Sequence, residues 1–221
     1  MILFAGDSFS ANDGENSWTE VYTKNFNSSF NNTSIGGSSI WIAYKNINKE
    51  KTNILQNKYK TIVITCTHPY RIPYCTNPKM CARRGEYFPI TNKNEVTDDI
   101  IHFHYFDRFF DKELHDFLYI KSLKDIVNSY KNNTNIILLP CFSESLELIK
   151  ILYSEIPNFS YLDFPLLNVG NIDMNNPEYK NHFTIKTNLA FGNLLADRTK
   201  DYKQEKINLL IKEIADKIND I

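Results

Sequence analysis

Three short runs of unbroken apolar residues constrain this chain most: Ile2-Leu3-Phe4-Ala5, Ile62-Val63-Ile64 and Ile136-Ile137-Leu138-Leu139. Each is too short for a helix and carries no polar alternation, so none reads as a strand with one wet face. Strands buried on both faces belong to parallel sheets. A parallel sheet needs crossover segments between its strands, and the residues between these runs supply helical spacing. Trp18, Val21 and Tyr22 form one apolar face behind Ser17-Trp18-Thr19-Glu20, which reads as a capping box opening a helix that runs to about Phe26. Ile40, Ala43, Tyr44 and Ile47 repeat at helical spacing from about Ser39.

Further along, Thr97 to Tyr130 carries a helical pattern, with a break expected near Asp111 and a clear apolar face at Leu123, Ile126, Val127 and Tyr130. Ser143 is the expected cap of a helix carrying Leu146, Ile149, Leu152 and Tyr153 that stops before Pro157. Ser28 to Ile35 and Phe159 to Asp163 read as weaker strands. Two helices, about Thr184 to Ala196 and about Tyr202 to Asn219, close the chain. Strands alternating with helices predict an α/β fold, a central parallel sheet covered on both faces. No repeat or linker divides the sequence, so one domain over residues 1–221 is expected. Within it, the irregular stretch from about residue 72 to 94, with its three prolines, reads as a functional loop or lid.

Composition excludes several classes. The chain has 25 Lys+Arg against 26 Asp+Glu, so no basic excess points to nucleic acid. At 42% apolar residues it has enough material for a packed core and is not a disordered chain. No apolar run reaches the length of a membrane span, and Ile2 opens a strand with no basic leader before it. A cytoplasmic protein with no membrane partner is the expectation.

Chemistry in such a sheet gathers at the carboxyl ends of its strands. The first apolar run ends in Gly6-Asp7-Ser8-Phe9-Ser10, a tight turn that exposes a serine at that edge. The second ends in Thr65-Cys66-Thr67-His68-Pro69-Tyr70-Arg71. Gly36-Gly37-Ser38-Ser39 is a glycine turn, and His182 stands just before the penultimate helix in Asn181-His182-Phe183-Thr184. A serine and a distant histidine brought to one sheet edge are the parts of a nucleophile and its base.

These blocks resemble the SGNH (GDSL-type) hydrolases, esterases and acyl hydrolases built as a three-layer sandwich on a flavodoxin-like parallel sheet. The resemblance spans most of the chain. Gly6-Asp7-Ser8 looks like the family's first block and implies Ser8 as nucleophile. Gly36-Gly37-Ser38-Ser39 looks like the second and implies an oxyanion-hole N–H from Gly37. Asn181-His182-Phe183 looks like the last and implies His182 as general base. Two positions depart from the pattern. The third block's Gly-X-Asn-Asp is replaced by Thr67 to Arg71, which leaves His68 or Arg71 as substitute donors. The acid three residues before the histidine is replaced by Tyr179, which leaves Glu178 and Asp173 to orient His182. The implied substrate is a small or carbohydrate-linked acyl ester, with no cofactor. The alternative is a weakly active or inactive member kept as a binding or structural module, for example a virus-associated protein.

Other signals have plain readings. Cys66, His68, Cys75 and Cys81 match no tight zinc spacing, so no metal is expected, and thiols are the default for all four cysteines, with a Cys75–Cys81 disulfide only in an oxidising setting. His102 and His104 fall on different faces of a helix and read as packing residues. The aromatics from Phe103 to Phe110 read as core or partner surface.

Overall fold

In the computed structural model, residues 1–11, 14–73, 81–82, 110–169, 182–200, 206–207, 209 and 211–221 are described. The elements run β1 (Ile2–Gly6), α1 (Ser8–Ala11), α2 (Trp18–Asn25), β2 (Phe30–Asn32), α3 (Ile40–Lys49), α4 (Lys51–Leu55) and β3 (Thr61–Cys66). There follow β4 (Ile72–Pro73), β5 (Cys81–Ala82), α5 (Lys112–Tyr130), β6 (Asn135–Pro140), α6 (Ser143–Glu155) and β7 (Ser160–Leu162). A short 3₁₀ turn at Leu166–Asn168 precedes α7 (Ile185–Thr199), β8 (Lys206–Ile207) and α8 (Ile211–Asn219).

Six strands form one sheet in the order β2-β1-β3-β6-β7-β8, and every neighbouring pair is parallel. Setting aside the two-residue antiparallel ladder β4-β5, this is the 2-1-3-4-5 order of flavodoxin-like folds, extended by one strand. The expected α/β architecture is therefore the observed one. Side-chain alternation along the strands splits the core in two. Leu3, Ala5, Ile62, Ile64, Ile136 and Leu138 face one way and pack against α3, α5 and α6. Ile2, Phe4, Val63, Ile137 and Leu139 face the other way and pack against Trp18 and Tyr22 of α2 and Phe191 and Leu195 of α7. The unbroken apolar runs are explained by this geometry: each strand residue has a helix-covered face to fill.

Local signals set the helix starts. The Ser17 hydroxyl caps α2 by accepting from the Glu20 N–H at 3.3 Å, while Glu20 reaches back to the Asn16 N–H at 2.8 Å. The expected box is thus displaced by one residue on its acidic side. Asp111 caps α5 through the Leu114 N–H at 3.1 Å, which accounts for the break expected there. At α6, Phe142 takes the cap position and Ser143 is the first helical residue; Ser145 closes the turn by bonding the Phe142 N–H and C=O. One helix is shorter than its pattern. Residues 206–207, expected inside the last helix, instead pair with the β7 edge, and α8 begins at Ile211. Ile207 is buried in the sheet layer, and pairing the open edge of β7 outweighs helical spacing there. No described helix is long and apolar enough to cross a membrane.

The register brings the strand ends level. Gly6 lies opposite Thr65, and Cys66 opposite Pro140. The Asp7-Ser8 turn, the Thr67–Arg71 turn and the Cys141-Phe142 turn consequently emerge side by side at one edge.

Candidate active site

Gly6 makes the first turn. Its φ of +138° suits glycine, and a Cβ there would stand 2.1 Å from Thr65 Oγ1 and 2.3 Å from the Thr65 carbonyl oxygen. With no side chain at Gly6, Thr65 Oγ1 can accept the Asp7 N–H at 3.2 Å and share a hydrogen bond with Ser10 Oγ at 2.6 Å. Ser10 Oγ also meets Ser34 Oγ at 2.7 Å. The Gly6 carbonyl receives the Ser38 hydroxyl at 2.9 Å and the Ile35 N–H at 3.0 Å. These bonds lash the serine turn to the glycine turn. A Cβ on Gly36 would lie 3.8 Å from Ser8 Cβ, whereas one on Gly37 would meet nothing within 4 Å. Gly37 holds a left-handed φ of +71° and faces open space.

His182 closes the pair. Its Nε2 lies 2.7 Å from Ser8 Oγ across 174 residues of sequence. Its backbone is left-handed, φ +66°, a conformation that costs a non-glycine residue roughly 1–3 kcal/mol and clusters at functional sites. The ring stands edge-on to Phe9 at 4.8 Å. Burial favours the uncharged ring and lowers its pKa below the ordinary 6.5; the Asp7 charge opposes that shift and Arg71 adds to it. At neutral pH the imidazole is a free base.

Asn188 holds His182 in place, and no sequence signal marked it. It is fully buried in the first turn of α7. Its amide donates to the carbonyls of Phe183 at 3.0 Å and Thr184 at 3.1 Å, and its oxygen accepts the Trp18 N–H at 2.9 Å. Trp18 in turn donates its indole N–H to the Phe9 carbonyl at 2.7 Å. One polar chain therefore ties the histidine segment to α2 and to the turn that carries Ser8. Thr184 caps α7 through the Thr187 N–H at 3.1 Å, which sets where the helix begins relative to the histidine.

Beneath Ser8 lies a buried ion pair that also went unread. Asp7 is fully buried; Oδ1 accepts the Phe9 N–H at 3.1 Å and the Cys141 thiol at 3.5 Å. Asp7 Oδ2 stands 3.7 Å from Arg71 Nη1, and Arg71 Nη1 also donates to the Ser38 carbonyl at 3.4 Å. Burial pushes the Cys66 and Cys141 thiols up, and the Asp7 charge pushes them further. Both cysteines are free and buried. His68 sits one turn away: Nδ1 accepts the Tyr70 N–H at 3.3 Å, and Nε2 lies 3.8 Å from Glu144 Oε1.

The structure thus brings Ser8, His182, the Gly36-Gly37 turn and Arg71 to one sheet edge. Asp173 and Glu178 lie outside the described residues, as do Cys75, His102, His104, Phe103 to Phe109 and most of the expected lid. Among the described residues no carboxylate bonds the His182 ring, and no group of three or more His, Cys, Asp or Glu could hold a metal ion. Chemically, the arrangement offers a hydroxyl with a neutral base in hydrogen-bond contact and backbone glycine beside it.

No family model matches the chain, and no curated protein does. Among solved structures the chain is similar to a candidate lipolytic protein of the G-D-S-L family from Desulfitobacterium hafniense DCB-2. The two share 16% identity with a TM-score of 0.49, over 89% of this chain and 97% of that one.

Proposed function

We propose that this chain is a serine acyl hydrolase of the SGNH type, acting on a small or carbohydrate-linked acyl ester. The observation that carries the reading is the 2.7 Å contact between His182 Nε2 and Ser8 Oγ at the end of β1. His182 takes the hydroxyl proton as Ser8 Oγ attacks the ester carbonyl. The N–H groups of Ser8 and Gly37 receive the oxyanion, with His68 or Arg71 as the donor from the third turn. Collapse of the tetrahedral intermediate passes the proton from His182 to the departing alcohol and leaves an acyl-serine. Water, deprotonated by His182, then releases the acid and restores Ser8. Asp173 or Glu178 is the proposed partner of the second ring nitrogen. The buried Asp7 charge favours the imidazolium that forms during turnover.

The test is labelling by a fluorophosphonate probe together with hydrolysis of p-nitrophenyl acetate. Wild-type protein should do both, and Ser8→Ala and His182→Ala should do neither. Undiminished turnover by Ser8→Ala sinks the assignment. A second reading, a fold retained as a binding module, is favoured by one observation: the Thr67–Arg71 turn contains no asparagine to donate to an oxyanion. A wild-type chain that is folded but unreactive toward the probe supports that reading.

A further inference from the structure

The solvent face of α5 carries a continuous apolar ridge. Leu114, Phe117 and Leu118 are 49%, 61% and 50% exposed, and their i, i+3, i+4 spacing makes them neighbours on the helix surface. Trp41 of α3, also 50% exposed, lines the same groove as Leu118, so the patch crosses onto a second helix. Single apolar side chains on a surface need no explanation, but a contiguous patch rimmed by polar groups marks an interaction site. A groove runs along each side of the ridge. Trp41, Tyr44 and Leu118 wall the one toward α3, and His115, Lys121, Ser122 and Asp125 also line it. Phe117 and Ile120 wall the other, with Lys124 and Glu155. Apolar walls with charged residues beside them are the anatomy of a protein interface.

The charges choose the occupant. Glu113 and Lys124 are eleven residues apart, about three turns of helix, so they stand in one column with Phe117 between them. The column reads acid, aromatic, base. Turned end for end it reads base, aromatic, acid, so two copies of α5 laid antiparallel set Glu113 of each beside Lys124 of the other. Parallel copies would set Glu113 against Glu113. Glu113 has no ion-pair partner among the described residues. Lys124 bonds Glu155 at 2.7 Å, but both side chains are exposed, so that pair is weak in water and exchangeable. Lys112 with Asp116 and Lys121 with Asp125 are already paired within the helix, at 2.6 and 2.5 Å, and add no net charge. With acids interspersed among its lysines, the face does not suit an anionic lipid surface.

We propose that this face binds a second copy of the chain, as a two-fold antiparallel α5–α5 dimer crossing near Leu118. Phe117 and Leu118 of each copy pack into the grooves beside the other copy's ridge. Glu113–Lys124 pairs close both ends. The contact centres on one 19-residue helix, about 28 Å long, so its area is at the low end for specific interfaces and the dimer dissociates on dilution to about 1 µM. The surface lies on α5, and the proposal holds whether or not Ser8 is a nucleophile.

Sedimentation velocity on the whole chain, from about 1 to about 200 µM, tests it. The wild type should move from the 25.8 kDa monomer toward twice that mass as concentration rises. Phe117→Glu should stay monomeric throughout, with an unchanged melting temperature in dilute solution, because the side chain it replaces is exposed. Glu113→Lys should weaken dimerisation about tenfold, and adding Lys124→Glu to it should restore the dimer to within about threefold of wild type. Ser8→Ala should dimerise like the wild type, which separates this test from the esterase test. A wild-type chain that is monomeric at the highest concentration overturns the proposal. So does a dimer that Phe117→Glu leaves intact, or a double charge swap without recovery. A Phe117→Glu chain that melts markedly lower in dilute solution overturns it too, because the ridge would then be covered within the chain.

Discussion

Replacing Asn188 by alanine removes the side chain that fastens His182 to the rest of the molecule. Thr184 O keeps a partner after the change, because the Asn188 backbone N–H also donates to it at 2.9 Å. Phe183 O and Trp18 N–H lose the bonds that Asn188 gives them, at 3.0 and 2.9 Å. Each orphaned buried group costs roughly 1–3 kcal/mol, so the expected loss is about 2–6 kcal/mol. For a chain of 221 residues, each kcal/mol lowers the melting temperature by roughly 2–4 °C, giving a fall on the order of 10 °C. The histidine segment also loses its anchor to α2, so fluorophosphonate labelling should slow at least tenfold at a temperature where the variant is folded. Asn188→Asp is the polar control: it keeps an acceptor for the Trp18 N–H but sets a buried carboxylate against the Phe183 and Thr184 carbonyl oxygens, so it should be no more stable than alanine. Melting by circular dichroism and labelling kinetics read both effects. An Asn188→Ala chain that melts within about 2 °C of wild type and labels at the same rate refutes the reasoning.

The remaining predictions concern charge, backbone and the orienting acid. Because burial lowers the His182 pKa below 6.5, ester hydrolysis should hold its rate as pH falls to 6.5 and decline only below it; an acid limb centred above 6.5 in kcat/KM counts against a buried base. The same shift makes the unfolded chain bind more protons than the folded one between the lowered pKa and 6.5, so stability from this group should be present above that window and be lost as pH falls through it, as urea titrations at stepped pH would show. Gly6→Ala should lose roughly 4 kcal/mol or more, seen as low soluble yield, because its Cβ would stand 2.1 Å from Thr65 Oγ1; Gly37→Ala, with open space before it, should fold and lose only about 1–2 kcal/mol. Of Asp173→Asn and Glu178→Gln, one should cut kcat steeply, by up to about 10⁴-fold, while leaving KM near the wild-type value; if neither does, a backbone carbonyl orients the ring.

Some of this protein was legible before any coordinates. The runs at Ile2, Ile62 and Ile136 announced doubly covered strands because apolar side chains on both faces have one common explanation. The Ser17 cap was readable because a cap bond spans three residues, whereas at Asp111 the sequence announced a break and the structure supplied the cap. Sequence fell short where a distant partner decided the outcome. Residues 206–207 carry helical spacing, yet they pair with β7 because that edge has open hydrogen bonds. Asn188 shows no local sign of its role, since its partners are a tryptophan 170 residues away and the carbonyl of Phe183.

By itself, the sequence determined the alternation of strand and helix and the Gly6-Asp7-Ser8 turn, because periodicity and turn chemistry act over a few residues. It nominated His182 from its place before α7 but had no means to measure its distance from Ser8. Tertiary structure decided that contact, through the level register of β1, β3 and β6 and the Asn188 bridge. Only tertiary structure, too, set Arg71 against Asp7 in the buried layer beneath Ser8. Such pairings arise from parallel crossovers that bring residues far apart in the chain to one edge, and no local propensity encodes which groups will meet there.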